Sequence, residues 1–295
     1  MQAADLTATA GTNERLNNMK YKIEKNTVQE TLIIPLYGRK VCAEHYPEML
    51  NDEEAKRIIE NIEYDFDEKG KLMEKQPGLF GALEVAQRQY DLAFEVTDYL
   101  KTHPEAAVVN LGCGLDNTFT RVDNGHCRGY NIDLPDIIEI RNDLLPAGER
   151  EENIPADLND FSWFDKIEFD ESKGAVFFAA GVFYYFKTEQ VKALFSAMAK
   201  HFKGGKIVFD SCNKIGAKMM TKTWLKEAGI SDVGAYFSLS DINELTSWSD
   251  DFKSVSAKPY MNGYRKIDKR FGTFNKIMSA FGDKIVKMQI VRIDI

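Results

Sequence analysis

Cysteine and histidine are both scarce in this chain of 295 residues, with four of each. Cys42, Cys113, Cys127 and Cys212 are scattered, with no Cys-x-x-Cys and no histidine at ligand spacing. A zinc site needs such clusters, so no metal is expected, and the four scattered cysteines read as reduced thiols. No stretch reaches the roughly 18 to 20 apolar residues of a membrane span, and the opening MQAADLTATAGTNER has no apolar core of a secretion signal. The expectation is a cytoplasmic protein with no membrane partner. Positive charge is also short: 38 Lys and Arg stand against 46 Asp and Glu, a formal net charge of −8. Nucleic-acid binders neutralise phosphates with Lys and Arg, so no nucleic-acid partner is expected. No internal repeat is visible. With 44% hydrophobic and 28% charged residues the chain has an ordinary globular composition, long enough for one large α/β domain and a cap.

What is present centres on residues 106–135. Ala106 to Leu111 is a short, Val-rich apolar run that reads as a buried strand, and it ends in Gly112-Cys113-Gly114. Glycines there let the backbone turn sharply and approach a ligand. A second strand, Arg128 to Ile132, ends in Asp133, followed by Leu134-Pro135. Strand, glycine turn, helix, strand and terminal acid form the first half of a nucleotide-binding α/β fold, in which the acid takes ribose hydroxyls. Asp133 lies 21 residues after Gly112, the spacing such a unit requires.

The dinucleotide fingerprint has a third small residue that lets a helix N-terminus reach a pyrophosphate, and here that position is Asn117. A ligand with adenosine but no phosphates fits better, and S-adenosyl-L-methionine is such a ligand. A nicotinamide-dependent oxidoreductase is disfavoured on the same ground.

The segments VVNLGCGLD, with Phe119 and Arg121 after it, IDLP with the helix carrying Arg141, TLIIPLYGRK near the start and AAGVFYYF further on together resemble the leucine carboxyl methyltransferase family. Within it the chain looks most like the bacterial branch of tetracenomycin-type polyketide O-methyltransferases. The resemblance implies an α/β fold of class I S-adenosylmethionine-dependent methyltransferases: a Rossmann-like sheet of seven strands, the last antiparallel. It also implies that Arg88 holds the cofactor's carboxylate. Asp157 would take the adenine amino group, with the Leu158 amide on a ring nitrogen. Gly112, Cys113, Gly114, Asp133, Leu134 and Gly181 would complete the cofactor site. The family usually has Ala-Glu-Gly where this chain has Ala179-Ala180-Gly181, a departure that removes one cofactor or structural contact. It also leaves open a protein that binds S-adenosylmethionine without catalysis.

In chain order, residues 1 to about 15 are small and polar and are expected to be loosely ordered. Asn26 to Met49 has helical periodicity with Pro35 starting or kinking it, Asp52 to Ile62 is a second helix, and the charged stretch up to Gln76 is a loop. These form an N-terminal helical cap, 1–78, ahead of a methyltransferase domain, 79–295. Leu79 to Leu100 is a long helix whose apolar stripe, Val85, Leu92, Val96 and Tyr99, contains Arg88. A guanidinium there needs a carboxylate or a route to water, whether from the protein or from a ligand. Ile137 to Leu145 is the next helix, and Ile154 to Leu158 contains the third strand and the Asp157-Leu158 pair that follows it, where Asp157 either caps a turn or meets the ligand. Gly174 to Phe186 reads as the central fourth strand, buried on both faces, and Lys206 to Asp210 as the fifth, with the helix Thr188 to Phe202 between them. Helices around 218–228 and 240–248 and strands at Ser254 to Pro259 and Lys287 to Ile293 complete the chain.

The acceptor is read from where the histidines are. A phenol or alcohol needs a general base, most often His, whereas a carboxylic acid is already ionised near neutral pH and needs only placement. His103, His126 and His201 precede strands and so lie at the amino edge of the sheet, away from the ligand edge, which leaves His45 of the cap as the one candidate base. Tyr184 and Tyr185 would orient an acceptor oxygen, and Arg39 or Lys40 would neutralise an acidic one. The expectation is a small-molecule carboxylate, with a polyketide-like phenol second and a protein C-terminal carboxylate third. The oligomeric state is not readable.

Overall fold

In the computed structural model, residues 20–24, 28–64, 73–220, 222 and 236–295 are described. The expectations for the first fifteen residues, for residues 65–72 of the charged loop and for most of a helix over 218–228 lie outside them.

Seven strands form one sheet: β1 (Ala107–Leu111), β2 (Arg128–Asp133), β3 (Glu151–Pro155), β4 (Ala175–Ala179), β5 (Lys206–Ser211), β6 (Ser254–Pro259) and β7 (Gln289–Asp294), in the order β3-β2-β1-β4-β5-β7-β6. The first five are parallel, and β7 runs antiparallel between β5 and β6. All residues of β1 and β4 are buried, as a Val- and Phe-rich strand covered on both faces must be. Alternation splits the core: Val108, Val176 and Phe178 pack toward α3 (Gly78–Leu100), while Val109, Leu111 and Phe177 face α6 (Thr188–His201) with Trp163 and Phe195.

The order reverses between β1 and β4, whose carboxyl ends open a crevice. The cap roofs it. One 3-10 turn, Val28–Leu32, leads into α1 (Ile33–His45), with Pro35 inside its first turn, where a missing amide costs no helical bond. α1 crosses α3 closely at Gly38, where a Cβ would stand 3.4 Å from Val85. α2 (Glu53–Glu60) is capped by Asp52, which accepts from the Ala55 amide at 2.9 Å. Ile33, Leu36 and Ile58 of these helices form an apolar cluster with Leu115 and with Ile137 and Ile140 of α5 (Pro135–Leu144), so the cap is packed onto the glycine turn and the helix after β2.

Three strand or helix boundaries differ from expectation. The fourth strand ends at Ala179, because Gly181 takes φ +74° and the chain then forms a 3-10 turn, Phe183–Tyr185. The third strand is Glu151–Pro155 and starts three residues before the expected Ile154, because a half-exposed edge strand carries little apolar signal; Asp157 and Leu158 fall in the loop after it, as expected. The segment 240–248 contains one helical turn, α8 (Asn243–Thr246). Two short helices, α4 (Thr118–Val122) and α7 (Lys214–Met220), follow β1 and β5, and α9 (Thr273–Phe281) was not anticipated.

Candidate cofactor and acceptor site

A cavity of about 460 Å³ lies in the crevice, between the carboxyl ends of the strands, α3 and the start of the cap. It is lined by every cofactor-site residue expected from the sequence: Arg88, Gly112, Cys113, Gly114, Asp133, Leu134, Asp157, Leu158 and Gly181. Tyr184, Tyr185 and Arg39 line it too.

On one side stands the glycine turn. Gly112 and Gly114 have φ +64° and +46°, and a Cβ on Gly112 would stand 2.7 Å from Val182, so the backbone itself forms the wall. The Gly114 amide donates to Asp133 Oδ2 at 2.7 Å and the Leu134 amide to Oδ1 at 2.8 Å. These bonds fix the carboxylate and leave lone pairs on both oxygens for a diol. Burial pushes the Asp133 carboxyl up, against the two amides. Below the turn, Arg141 donates through Nη1 to the carbonyls of Gly114 (2.9 Å) and Asp116 (2.7 Å), which holds the turn in shape. Asn117, the residue that breaks the dinucleotide pattern, donates to Asp52 Oδ1 at 3.3 Å and so faces the cap.

On the other side stands a long-range polar cluster. Arg88 Nη1 lies 3.2 Å from Asp210 Oδ2, whose partner oxygen accepts from the Gly181 amide at 2.6 Å, while Tyr184 donates its hydroxyl to Oδ2 at 3.0 Å. Arg88 thus has the carboxylate that its apolar stripe demanded, and it still lines the cavity. Burial opposes its charge, but Asp210, Tyr260, Tyr184 and Glu84 together outweigh that and the guanidinium pKa is raised. A Cβ on Gly181 would come within 2.7 Å of Arg88 Nη1, so glycine leaves the space that the guanidinium fills. Ala180 also faces the cavity, and Asp210 supplies a carboxylate beside the place where the family's Glu would stand. Glu84, one turn before Arg88, lines the same corner; Tyr260 donates to its Oε1 at 2.9 Å and burial raises its carboxyl pKa. Sequence reasoning missed Glu84, and noted Asp210 only as a strand end; their pairing with Tyr260 and Arg88 spans 122 residues or more and leaves no local pattern.

Other expected residues are placed differently. His45 is exposed at the C-terminal end of α1, six residues and about 9 Å of helix rise beyond Arg39, and does not line the cavity. His103 stacks on Tyr99 with ring centroids 4.3 Å apart, and none of the four histidines lines the cavity. Lys40 pairs with Glu44 at 3.1 Å on the outside of α1. Arg39 is buried and already engaged: Nε pairs with Asp52 at 2.9 Å and Nη1 donates to the Leu115 carbonyl at 2.7 Å. Its remaining nitrogen, Nη2, has no partner but is sealed from solvent. Asp52 also takes Arg121 at 3.0 Å, and a buried carboxylate with two guanidiniums is a structural tie between cap and glycine turn. Burial works against the Asp52 charge, but Arg39, the Ala55 amide and Arg121 outweigh it and hold the carboxyl below its usual range. Asp157 is exposed at the rim, and its Oδ1 accepts from the Asn159 amide at 2.9 Å, so it caps a turn and lines the cavity at once.

A seven-stranded sheet in this order, with an acid-gripped glycine turn at its switch point, is the fold of class I S-adenosylmethionine-dependent methyltransferases. A protein from Thermobifida fusca, provisionally described as a methyltransferase, superimposes with a TM-score of 0.57 at 15% identity, over 81% of this chain and 92% of that one. The sequence profile of the leucine carboxyl methyltransferases matches residues 38–199, and the chain belongs to that family. Two curated relatives are each 26% identical. The tetracenomycin polyketide synthesis O-methyltransferase TcmP of Streptomyces glaucescens aligns over 62% of this chain and 66% of its own length, just under two thirds. The S-adenosyl-L-methionine-dependent methyltransferase dpfgK of Gibberella zeae aligns over 66% and 70%. The family's cofactor is S-adenosylmethionine, and the cavity fits it: there are amides and a fixed carboxylate for an adenosine, and a guanidinium for a carboxylate.

Proposed function

We propose that this chain is an O-methyltransferase whose acceptor is a small-molecule carboxylate. In this reading Asp133 holds the ribose hydroxyls, Asp157 and the Leu158 amide the adenine, and Arg88 the amino-acid carboxylate of the cofactor. Bound there, S-adenosylmethionine supplies a methyl group on a sulfonium and is left as a neutral thioether. The chain's own contribution is placement and water exclusion, which are worth about 7 to 11 kcal/mol when two reactants are aligned. Tyr185, whose hydroxyl burial keeps neutral, is the donor for an acceptor oxygen, with Leu32, Ile34, Val85 and Phe186 forming an apolar surround.

The observation that carries the carboxylate reading is the absence of histidine from the cavity lining, since an ionised acid needs no base. A specific observation favours a second reading. Glu84 is a half-buried carboxyl with one oxygen bonded and a raised pKa, a base suited to a phenol such as the polyketide class named for the tetracenomycin relative. Methyl transfer with labelled cofactor over matched carboxylic and phenolic acceptors tests both. Carboxylate methylation gives esters that mild alkali cleaves to labelled methanol. Alkali-stable products throughout would overturn it and make Glu84 the base, while cofactor binding without transfer to any nucleophile would mean a non-catalytic binder.

A further inference from the structure

One helix of this molecule is docked inside out. α9 buries Asn275 and Ser279 and exposes Phe274 (44%), Ile277 (62%) and Phe281 (36%). Its inner face is held by polar bonds. Asn275 Oδ1 accepts from Gln76 Nε2 at 2.8 Å and its Nδ2 donates to the Tyr46 hydroxyl at 3.1 Å, while Met278 packs against the core beside Asn275. The outward stripe is therefore a property of a well-anchored helix. Ile285, half-exposed in the π turn Gly282–Val286, extends the stripe at spacings of three and four. Asn213 Nδ2 donates to the Ile285 carbonyl at 2.9 Å, which sets the start of α7, with half-exposed Ile215, beside it.

Charge is concentrated on the same surface. Segments 214–222 and 273–287 carry six lysines, Lys214, Lys218, Lys222, Lys276, Lys284 and Lys287, and one acid. That acid, Asp283, is turned inward to accept from the Met261 amide at 3.0 Å and Asn262 Nδ2 at 2.8 Å. The whole chain is at −8, so these two segments are basic on an acidic protein, with the exposed carboxylate of Asp268 at the edge beside Lys276. Exposed Phe and Ile among lysines are the chemistry that enters the headgroup region of a bilayer bearing anionic lipids. A second copy of the chain fits less well, because a two-fold contact would oppose like charges. Met220, at the end of α7, lines the cavity, so the basic surface borders the site.

We propose that α7 and α9 form a peripheral docking surface for an anionic lipid bilayer, which would bring the cavity rim to that surface. It qualifies the expectation of no membrane partner: among the described residues no helix is long and apolar enough to cross a membrane, but this face can lie on one. The docking stands apart from the choice of acceptor. The test is flotation of the full chain with vesicles of phosphatidylcholine alone and of phosphatidylcholine with phosphatidylglycerol. Binding to the second alone, weakened by salt, is expected. Ile277→Glu and the pair Lys276→Glu with Lys284→Glu should each cut that binding about tenfold or more, with S-adenosylhomocysteine affinity and circular dichroism unchanged. No vesicle binding, equal binding to neutral vesicles, or variants that bind like the parent would overturn the proposal. A concentration-dependent dimer in the parent that Ile277→Glu dissolves would also overturn it and assign the face to a second copy.

Discussion

The two walls of the cavity are built on different principles. The wall at β1 and β2 is almost all local: Gly112 to Gly114 and Asp133 to Leu134 meet through backbone amides, within one strand-turn-strand unit. The wall at β4 and β5 is a long-range assembly in which Arg88 of α3, Gly181 and Tyr184 after β4, and Asp210 of β5 converge on one carboxylate. The first wall presents a single carboxylate fixed by backbone amides, atoms that every residue has. The second depends on an ion pair that exists only after the sheet and α3 have packed, so function and stability are coupled there and nearly independent at the first.

Asp210→Ala should show the difference most strongly. It removes the acceptor of Gly181 and Tyr184 and leaves the Arg88 guanidinium without its carboxylate, which typically costs about 3 to 5 kcal/mol for a buried pair, read as a lower midpoint in urea unfolding. Next come two variants to be compared in calorimetry. Asp133→Ala should weaken S-adenosylmethionine about tenfold to a hundredfold, from the roughly 1.5 to 3 kcal/mol of a charge-assisted hydrogen bond, with a smaller loss of stability than Asp210→Ala because no ion pair is broken. Arg88→Met should weaken S-adenosylmethionine but leave 5′-methylthioadenosine, which lacks the carboxylate, nearly unchanged. Equal losses for both ligands would make Arg88 a folding residue and erase the functional half of the contrast.

Gly181→Ala should cost about 1 to 2 kcal/mol of stability, because φ +74° strains an L-residue and the new methyl presses on Arg88. The smallest effect is a pH dependence at the local wall's tie to the cap. The folded-state pKa of Asp52 is depressed, so its contribution is present above the unfolded value of about 3.9 and is lost as pH falls through the folded one. Stability should therefore fall on acidification below about pH 4, and Asp52→Asn should flatten that limb. An unchanged limb would mean that other carboxylates set it.

Both strand ends of the local wall and the glycine turn between them could be read from the chain, because buried strands, tight turns and strand-end acids follow from short-range spacing; the seven-stranded sheet was implied by the family resemblance, and its order came only from the structure. Arg88 was legible as an anomaly, a charge in an apolar stripe, although its partner was not. The start of the edge strand β3 was placed three residues late because a half-exposed strand lacks the apolar run that marks a central one. Arg39 and His45 looked equally available in sequence. Packing made the first a buried tie to Asp52 and left the second exposed beyond the cavity. Glu84 and Asp210 became site residues only when α3 was laid across β4 and β5, since a carboxylate's role depends on which cation, hydroxyl and amide the folded chain brings within about 3 Å of it.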